Sequence, residues 1–230
     1  MGAKNKMAQN KILTDVAGTA VHDGIIGQLM GHFARQGTDY LKGDQASAKA
    51  KEIVAGIRDK FGFPGTAEVV GFVHGQLSAR ALNPDYLKLT GETSPSGYES
   101  GAIVPQGFDD VIPAFKGWHD NGRGVWTYSN GSAEEQEAML SNTSAGDMTP
   151  YVRSFFDTAD VGLKTESDSY KTVADRIQVG PSEITFLSDR VDELDAAYNA
   201  GLDVVQVNRP GNKPQPDRDY KIVTSFADVA

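Results

Sequence analysis

Four short stretches carry side chains whose types and order suit a reaction at phosphorus. They are Asp15 in Asp-Val-Ala-Gly-Thr19, Ser129 in Tyr-Ser-Asn-Gly-Ser132, Lys164 in Val-Gly-Leu-Lys, and Asp189 in Phe-Leu-Ser-Asp-Arg-Val-Asp-Glu193. Each reads as the end of a strand. A carboxylate so placed can attack phosphorus and carry it as an aspartyl-phosphate. Magnesium, held by few carboxylates and several waters, screens the charge between that acid and the phosphate. A hydroxyl, main-chain N–H groups and a lysine then bind the phosphoryl oxygens. Two acidic strand ends and one lysine are the minimum for such a site.

These residues need a frame that brings four distant segments to one rim. The apolar runs Lys11–Asp15, Gly124–Tyr128, Glu183–Leu187 and Asp203–Val207 each end in polar or glycine-rich turns. They read as buried parallel strands with functional groups at their carboxyl ends. Helical patterns fall between them. Ser132-Ala-Glu-Glu135 predicts a capping box opening a helix with Met139 and Leu140. Tyr170, Val173, Ala174 and Ile177 share one helical face, as do Val191, Leu194 and Tyr198, with Gly201 placed to stop the second helix. From about residue 107 the alternation predicts an α/β fold, a doubly wound, mostly parallel sheet. Right-handed crossovers set its strand ends on one rim.

Residues 20–105 interrupt the alternation with helical patterns: Ile25, Leu29, Phe33; then Ala46, Ala50, Ile53, Val54, Ile57; then Val69, Val70, Val73, Leu77. So much helical material is too long for a loop. The expectation is a core made of residues 1–19 and 106–230, with a helical cap of residues 20–105 over the rim. The Gly/Ser/Pro-rich stretch Gly91–Gly101 is expected as the return towards the core. Arg209 to Asp219 reads as a surface loop before a last short strand, Ile222-Val-Thr.

Composition narrows the classes. Among 230 residues there are 22 Lys and Arg against 31 Asp and Glu, a formal charge of −9, and no cysteine. The charge has the wrong sign for a non-specific nucleic-acid binder or a peripheral protein on an anionic membrane. The missing thiols exclude disulfides, thiolate zinc sites, Fe–S clusters and thiol nucleophiles. No apolar stretch reaches the roughly 18 residues of a membrane span. The opening Met1–Met7 has charge without an apolar run behind it, and Lys6 stands where a myristoylation signal wants Ser or Thr. A cytoplasmic monomer or weak homodimer is expected, acting on a small phosphorylated molecule with no nucleic-acid or membrane partner.

The four motifs, in this order and with a helical insertion after the first, resemble the haloacid-dehalogenase-like (HAD) hydrolases over nearly the whole chain. Residues 107–229 are more narrowly similar to the enolase-phosphatases (acireductone synthases) of methionine salvage. The matching stretches are Tyr128-Ser-Asn-Gly-Ser132, Phe155-Phe-Asp-Thr158, Gly162-Leu-Lys-Thr-Glu-Ser-Asp-Ser-Tyr170, Phe186-Leu-Ser-Asp189, Glu193-Leu-Asp-Ala-Ala197, Ala200-Gly201 and Arg209-Pro-Gly-Asn212. In the cap, Leu87-Lys88, Gly91 and Gly97-Tyr98-Glu-Ser-Gly101 are similar to the segment where that family keeps a substrate-facing lysine. The resemblance implies Asp15 as nucleophile and metal ligand, with the carbonyl of Ala17 and Asp189 completing the protein ligands of Mg2+. It implies Ser129, Asn130 and Lys164 at the phosphoryl group, Lys164 also catalytic, and Lys88 at the substrate. The substrate it implies is a diketo-methylthiopentyl phosphate.

Two departures stand out. Where the family carries an acid two residues after the nucleophile, this chain has Ala17, and where it carries a tryptophan three residues after the cap glycine, this chain has Ser94. An alanine at that position, followed by Val21-His-Asp-Gly24, resembles the nucleophile loop of phosphonatases. Those enzymes cleave C–P bonds through a cap lysine, for which Lys42, Lys49, Lys51, Lys60 and Lys88 are candidates. A binding protein that kept the phosphate pocket without turnover is the third reading. Among the remaining groups, Glu193 can assist the metal through water or only pair on a helix surface. His22, His32, His74 and His119 lack zinc-ligand spacing. Of the four, His22 lies near the nucleophile loop and could replace the missing acid.

Overall fold

The computed structural model describes residues 11–79, 81 and 83–229, so the opening segment Met1–Met7 lies outside the described residues. Six strands, β1 (Lys11–Thr14), β2 (Val125–Ser129), β3 (Val152–Asp157), β4 (Ile184–Ser188), β5 (Asp203–Val207) and β6 (Lys221–Val223), pair in the order β3-β2-β1-β4-β5-β6. Every pairing is parallel. Helices α1 (Gly24–Lys42), α2 (Ala48–Phe61), α3 (Thr66–Ser78) and α4 (Pro84–Glu99) follow the first strand. Helices α5 (Val111–Asp120), α6 (Ala133–Ser141), α7 (Thr158–Val161), α8 (Ser167–Ile177) and α9 (Val191–Asn199) lie between or before the later strands.

Alternation along the strands builds two apolar layers, as a period of two requires. Ile12, Leu187 and Val205 face the layer filled by Val111, Phe115 and Trp118 of α5 and by Met139 and Leu140 of α6. Leu13, Phe186 and Val204 face the other layer, with Tyr170, Val173 and Leu194 from α8 and α9. Helices on both faces make the expected doubly wound α/β architecture. The strand order reverses at β1, between β2 and β4. The crevice outside the carboxyl ends of β1 and β4 is therefore the topological switch point, where such sheets bind ligands. Asp15 and Asp189 follow those two strands.

Two elements differ from the sequence reading. Strand β3 has no continuous apolar run because it is an edge strand whose Arg153 and Ser154 are exposed. The larger difference is α4: the stretch expected as a non-helical return is helical as far as Glu99. Pro95 removes the N–H that would bond the Gly91 carbonyl, and the Ser94 hydroxyl donates to that carbonyl instead at 2.9 Å. Thr90, Thr93 and Ser96 hydroxyls also donate to carbonyls one turn back, at 2.8–3.0 Å. The helix buries Leu89, Thr93, Ser94 and Tyr98, and Gly97 lets Ile103 approach closer than any side chain would permit.

Helices α1 to α4 share a cluster of their own, including Phe33, Leu41, Ile53, Val54, Val69, Val73 and Leu89. Ile25 and Leu29 of α1 and Tyr98 of α4 instead join the layer on the sheet. The two crossings between sheet and helices are tied together: the His22 N–H donates to Gln106 O at 2.8 Å, and Val21 bridges Gly107. No helix among the described residues is long and apolar enough to cross a membrane.

Candidate active site

Asp15 leaves β1 buried, at 5% exposure, and its N–H donates to Leu187 O at 2.8 Å. The chain then turns tightly: the Gly18 N–H donates to Val21 O, and the Ala20 and Val21 N–H groups both donate to Val16 O, at 2.7–2.9 Å. Gly18 sits at φ +88, and a β-carbon there would lie 2.9 Å from the Asp189 carboxylate. Only glycine combines that dihedral with that approach. Thr19 then binds the two acids together. Its hydroxyl is 3.1 Å from Asp15 Oδ2 and 3.4 Å from Asp189 Oδ1, and it accepts the Asp189 N–H at 3.1 Å.

Lys164 arrives from the other side. It follows α7 rather than closing a strand, through Gly162 at φ +103. Two buried tyrosines hold that turn: Tyr128 donates to Gly162 O at 2.6 Å and Tyr170 to Lys164 O at 2.7 Å. The ammonium, 3% exposed, donates to Asp15 Oδ1 and lies 2.7 Å from Glu193 Oε2. Burial alone would depress it, but the Asp15 and Glu193 carboxylates outweigh burial and hold its pKa above the ordinary lysine value. Glu193 is no surface residue. It is 7% exposed, accepts the Ser188 hydroxyl at 2.8 Å, and is pushed up to about 7 by burial despite the pull of Lys164.

Ser129 and Asn130 end the neighbouring strand. The β1–β2 register pairs Thr14 with Thr127, so Ser129 stands on the same rim as the Asp15 loop. The Ser129 Oγ accepts the Gly131 N–H at 3.3 Å. Beneath the loop, Gln136 donates to Gly131 O and Phe156 O at 2.9 Å and accepts the Thr127 hydroxyl at 2.7 Å. The Ser132 side chain caps α6 by accepting the Glu135 N–H at 3.2 Å, and Asp157 accepts the Ala133 N–H at 3.1 Å. The capping box is half formed: the Glu135 carboxylate faces α4 instead of returning to Ser132.

Lys88 lies on α4, partly exposed and 3.7 Å from Glu92. The other candidate lysines, Lys42, Lys49, Lys51 and Lys60, are exposed. His22 is exposed and stacks on Phe108 with ring centroids 3.9 Å apart. His32 is buried in α1 against Ser96 at 3.1 Å.

Thr19, Arg209 and Asn212 are structural contributors that the motif reading left without a role. Arg209 donates to Thr19 O and to both Asp110 oxygens at 2.9 Å, sandwiched between Phe108 and Phe226. Asn212 donates to Gly18 O at 2.9 Å. Their signal was the Arg209–Asn212 segment itself, whose partners lie about 190 residues away.

The donor set fits a hard divalent cation. Asp15, Asp189 and Glu193 bring three carboxylates against one ammonium, and burial with the charges of Asp15 and Glu193 pushes Asp189 upward. Among the described residues no three acidic or histidine side chains form a closed cage. Two carboxylates with a main-chain carbonyl suit an ion that keeps water and substrate oxygens in its other positions. Ala17 offers only that carbonyl, its side chain being a methyl.

No family model matches the chain. It is 33% identical to the enolase-phosphatase E1 of Drosophila willistoni, with 94% of each chain covered. It is also 33% identical to that of Streptomyces avermitilis, over 88% of this chain and 86% of the relative. The Aedes aegypti enolase-phosphatase E1 is 30% identical over 97% of this chain, which spans only 22% of that relative's length. Among solved structures, the UTR4 protein of Saccharomyces cerevisiae superposes with a TM-score of 0.75 at 26% identity, covering 96% of this chain and 99% of that one. The HAD phosphatase of Thermococcus onnurineus shares the fold, with a TM-score of 0.63 at 19% identity over 95% of this chain and 94% of its own. An identity of 33% sustained along a relative matched from end to end, on the fold those structures share, places this chain in the enolase-phosphatase family of the HAD-like hydrolases.

Proposed function

We propose that this chain is a magnesium-dependent phosphatase of the cytoplasm that works through an aspartyl-phosphate on Asp15. Its substrate would be a small phosphorylated metabolite of the acireductone-synthase type, a diketo-methylthiopentyl phosphate. The observation that carries the reading is the Lys164 ammonium on the buried Asp15 carboxylate, backed by Glu193 at 2.7 Å. A lysine so placed sets positive charge where the phosphoryl oxygens accumulate negative charge. The helical layer of residues 20–105 would act as a cap over a core of residues 1–19 and 106–230.

In this reading Asp15, the Ala17 carbonyl and Asp189 hold Mg2+, which supplies charge neutralisation at the phosphoryl oxygens when bound. Asp15 attacks phosphorus and the bond to the leaving oxygen breaks, its electron pair going to that oxygen. Ser129, Asn130 and Lys164 hold the three equatorial oxygens, and Lys88 meets the substrate from the cap. Water then attacks the same phosphorus, releasing phosphate and restoring the Asp15 carboxylate. With a methyl at position 17, an enolate or another stabilised leaving group suits the site best, because it needs little protonation.

The test is a crystal soak with vanadate or tungstate and Mg2+, together with turnover of Asp15→Asn. The anion is expected beside Asp15 in contact with Ser129, Asn130 and Lys164, and the variant should be inactive. An anion bound elsewhere with this pocket empty, or an active variant, would sink the reading.

A further inference from the structure

Where α4 packs on α6, a second polar cluster stands outside the Asp15–Lys164 set. At its centre is Glu135, 8% exposed, whose carboxylate makes no hydrogen bond among the described residues. Two glycines leave room for it. A β-carbon on Gly91 would lie 2.9 Å from Glu135 Oε2, and one on Gly131 would lie 2.8 Å from it. The carboxylate is thus wedged between a helix of the cap and the loop that carries Ser129 and Asn130.

Opposite it, on α4, Tyr98 is also 8% exposed, and its buried hydroxyl, with the Ser94 hydroxyl beside it, makes no well-formed hydrogen bond among the described residues. Ser94, fully buried one turn earlier, spends its proton on Gly91 O. Lys88 is the cation of this seam, 3.7 Å from Glu92, with Glu134 as the remaining nearby acid. Burial pushes Glu135 up to about 7 and Lys88 pulls it down, so neutral and charged forms coexist near neutrality.

Buried polar groups without partners are rare in folded proteins, because each has given up water for nothing. Here the Tyr98 hydroxyl is one, and the Glu135 carboxylate, which makes no hydrogen bond among the described residues, faces the same seam beside the loop assigned above to the phosphate. We propose that Glu135 and Tyr98 form the subsite for the non-phosphate half of the substrate and recognise an oxygen, hydroxyl or carbonyl, on that half. A hydroxyl donates to the Glu135 carboxylate while accepting from Tyr98. A carbonyl accepts from Tyr98 and from the neutral carboxyl. The polar seam also accounts for Ser94: a large apolar side chain there would fill the space such an oxygen enters. This subsite rests on the proposed function only in taking the Ser129 loop as the phosphate holder.

Titration calorimetry on the full chain with Mg2+ tests it, using methylphosphonate, propylphosphonate and 2-hydroxypropylphosphonate, none of which carries a P–O ester to hydrolyse. Methylphosphonate reads the phosphate pocket alone, and the other two differ by one oxygen. The hydroxylated ligand is expected to bind about tenfold tighter than the alkyl one, the weight of a hydrogen bond to an otherwise unpaired group. Tyr98→Phe and Glu135→Ala should each shrink that ratio to within about twofold of unity. A ratio near one in the natural protein, or one unchanged in both variants, overturns the subsite while methylphosphonate binding keeps the phosphate pocket. Absence of methylphosphonate binding overturns both. A merely structural role for the pair would weaken the two ligands equally and leave the ratio intact. Tyr98→Phe removes a single oxygen, so it reads the ratio even if Glu135→Ala fails to fold.

Discussion

The Lys164 ammonium rests on the Asp15 carboxylate although 149 residues separate them in the chain, and Glu193 Oε2 holds the same nitrogen at 2.7 Å. The pair is buried, so each partner is costly without the other. That dependence couples the chemistry of the site to the stability of the fold.

Replacing Lys164 with Met should therefore cost both. Turnover is expected to fall by at least about 100-fold, on the scale of losing one oxyanion donor. Stability should drop by about 3–5 kcal/mol, the usual penalty for stranding a buried charge. Because Glu193, already pushed up to about 7 by burial, is among the stranded groups, the loss should be larger at pH 8 than at pH 5, where it takes up a proton. Urea unfolding at the two pH values checks the sign, and an equal loss at both would mean the pair is not electrostatically coupled.

Metal affinity should depend on Asp189. Thr19 ties its carboxylate to Asp15, and Gly18 leaves room for it beside the nucleophile loop. Calorimetry on Asp189→Asn should show Mg2+ binding weakened by an order of magnitude or more. Unchanged affinity would put the metal elsewhere.

The methyl of Ala17 should show in the leaving groups. A positioned acid typically contributes ~10²–10⁴-fold, and its absence penalises poor leaving groups most. Single-turnover rates plotted against leaving-group pKa should fall steeply for the natural protein and less steeply for Ala17→Glu. Equal, shallow slopes would mean that another residue already supplies the proton.

Glu135 should make stability fall as pH rises. Its folded pKa, about 7, lies above the ordinary 4.5, with Lys88 as the nearby cation and Tyr98 and Glu134 as the nearby acids. The folded state then binds more protons than the unfolded one between those values, so stability is full below about pH 4.5 and lost as pH climbs through 7. Glu135→Gln removes the penalty. It should leave the melting temperature near that of the natural protein at pH 4.5 and raise it at pH 8, by about 2 kcal/mol of added stability. A melting temperature no higher than the natural protein's at pH 8 would contradict the burial of that charge.

Periodicity and turn chemistry are local, and what depends on them was legible before any coordinates. The strands of the sheet interior, the helices of residues 24–78, the Ser132 cap and the Gly201 stop are all set by neighbours within a turn or two. So is the placing of Asp15, Ser129 and Asp189 at strand ends, because parallel strands leave their carboxyl ends to turns. Strand β3 escaped because an edge strand needs no apolar run, and α4 escaped because its hydroxyls offset the breaks that Pro95 and the glycines announce. What only the tertiary structure decided is where side chains from different crossovers meet. Glu193 reads equally well as a surface residue until β4 and α9 carry it to Lys164. Thr19 becomes a bridge only once β1 and β4 lie side by side, and Arg209 reaches it from across the sheet. Glu135 reads as half of a capping box until α4 packs against it. Convergence of this kind depends on strand order and helix packing, which sum interactions over the whole chain and leave no periodic trace in any one segment.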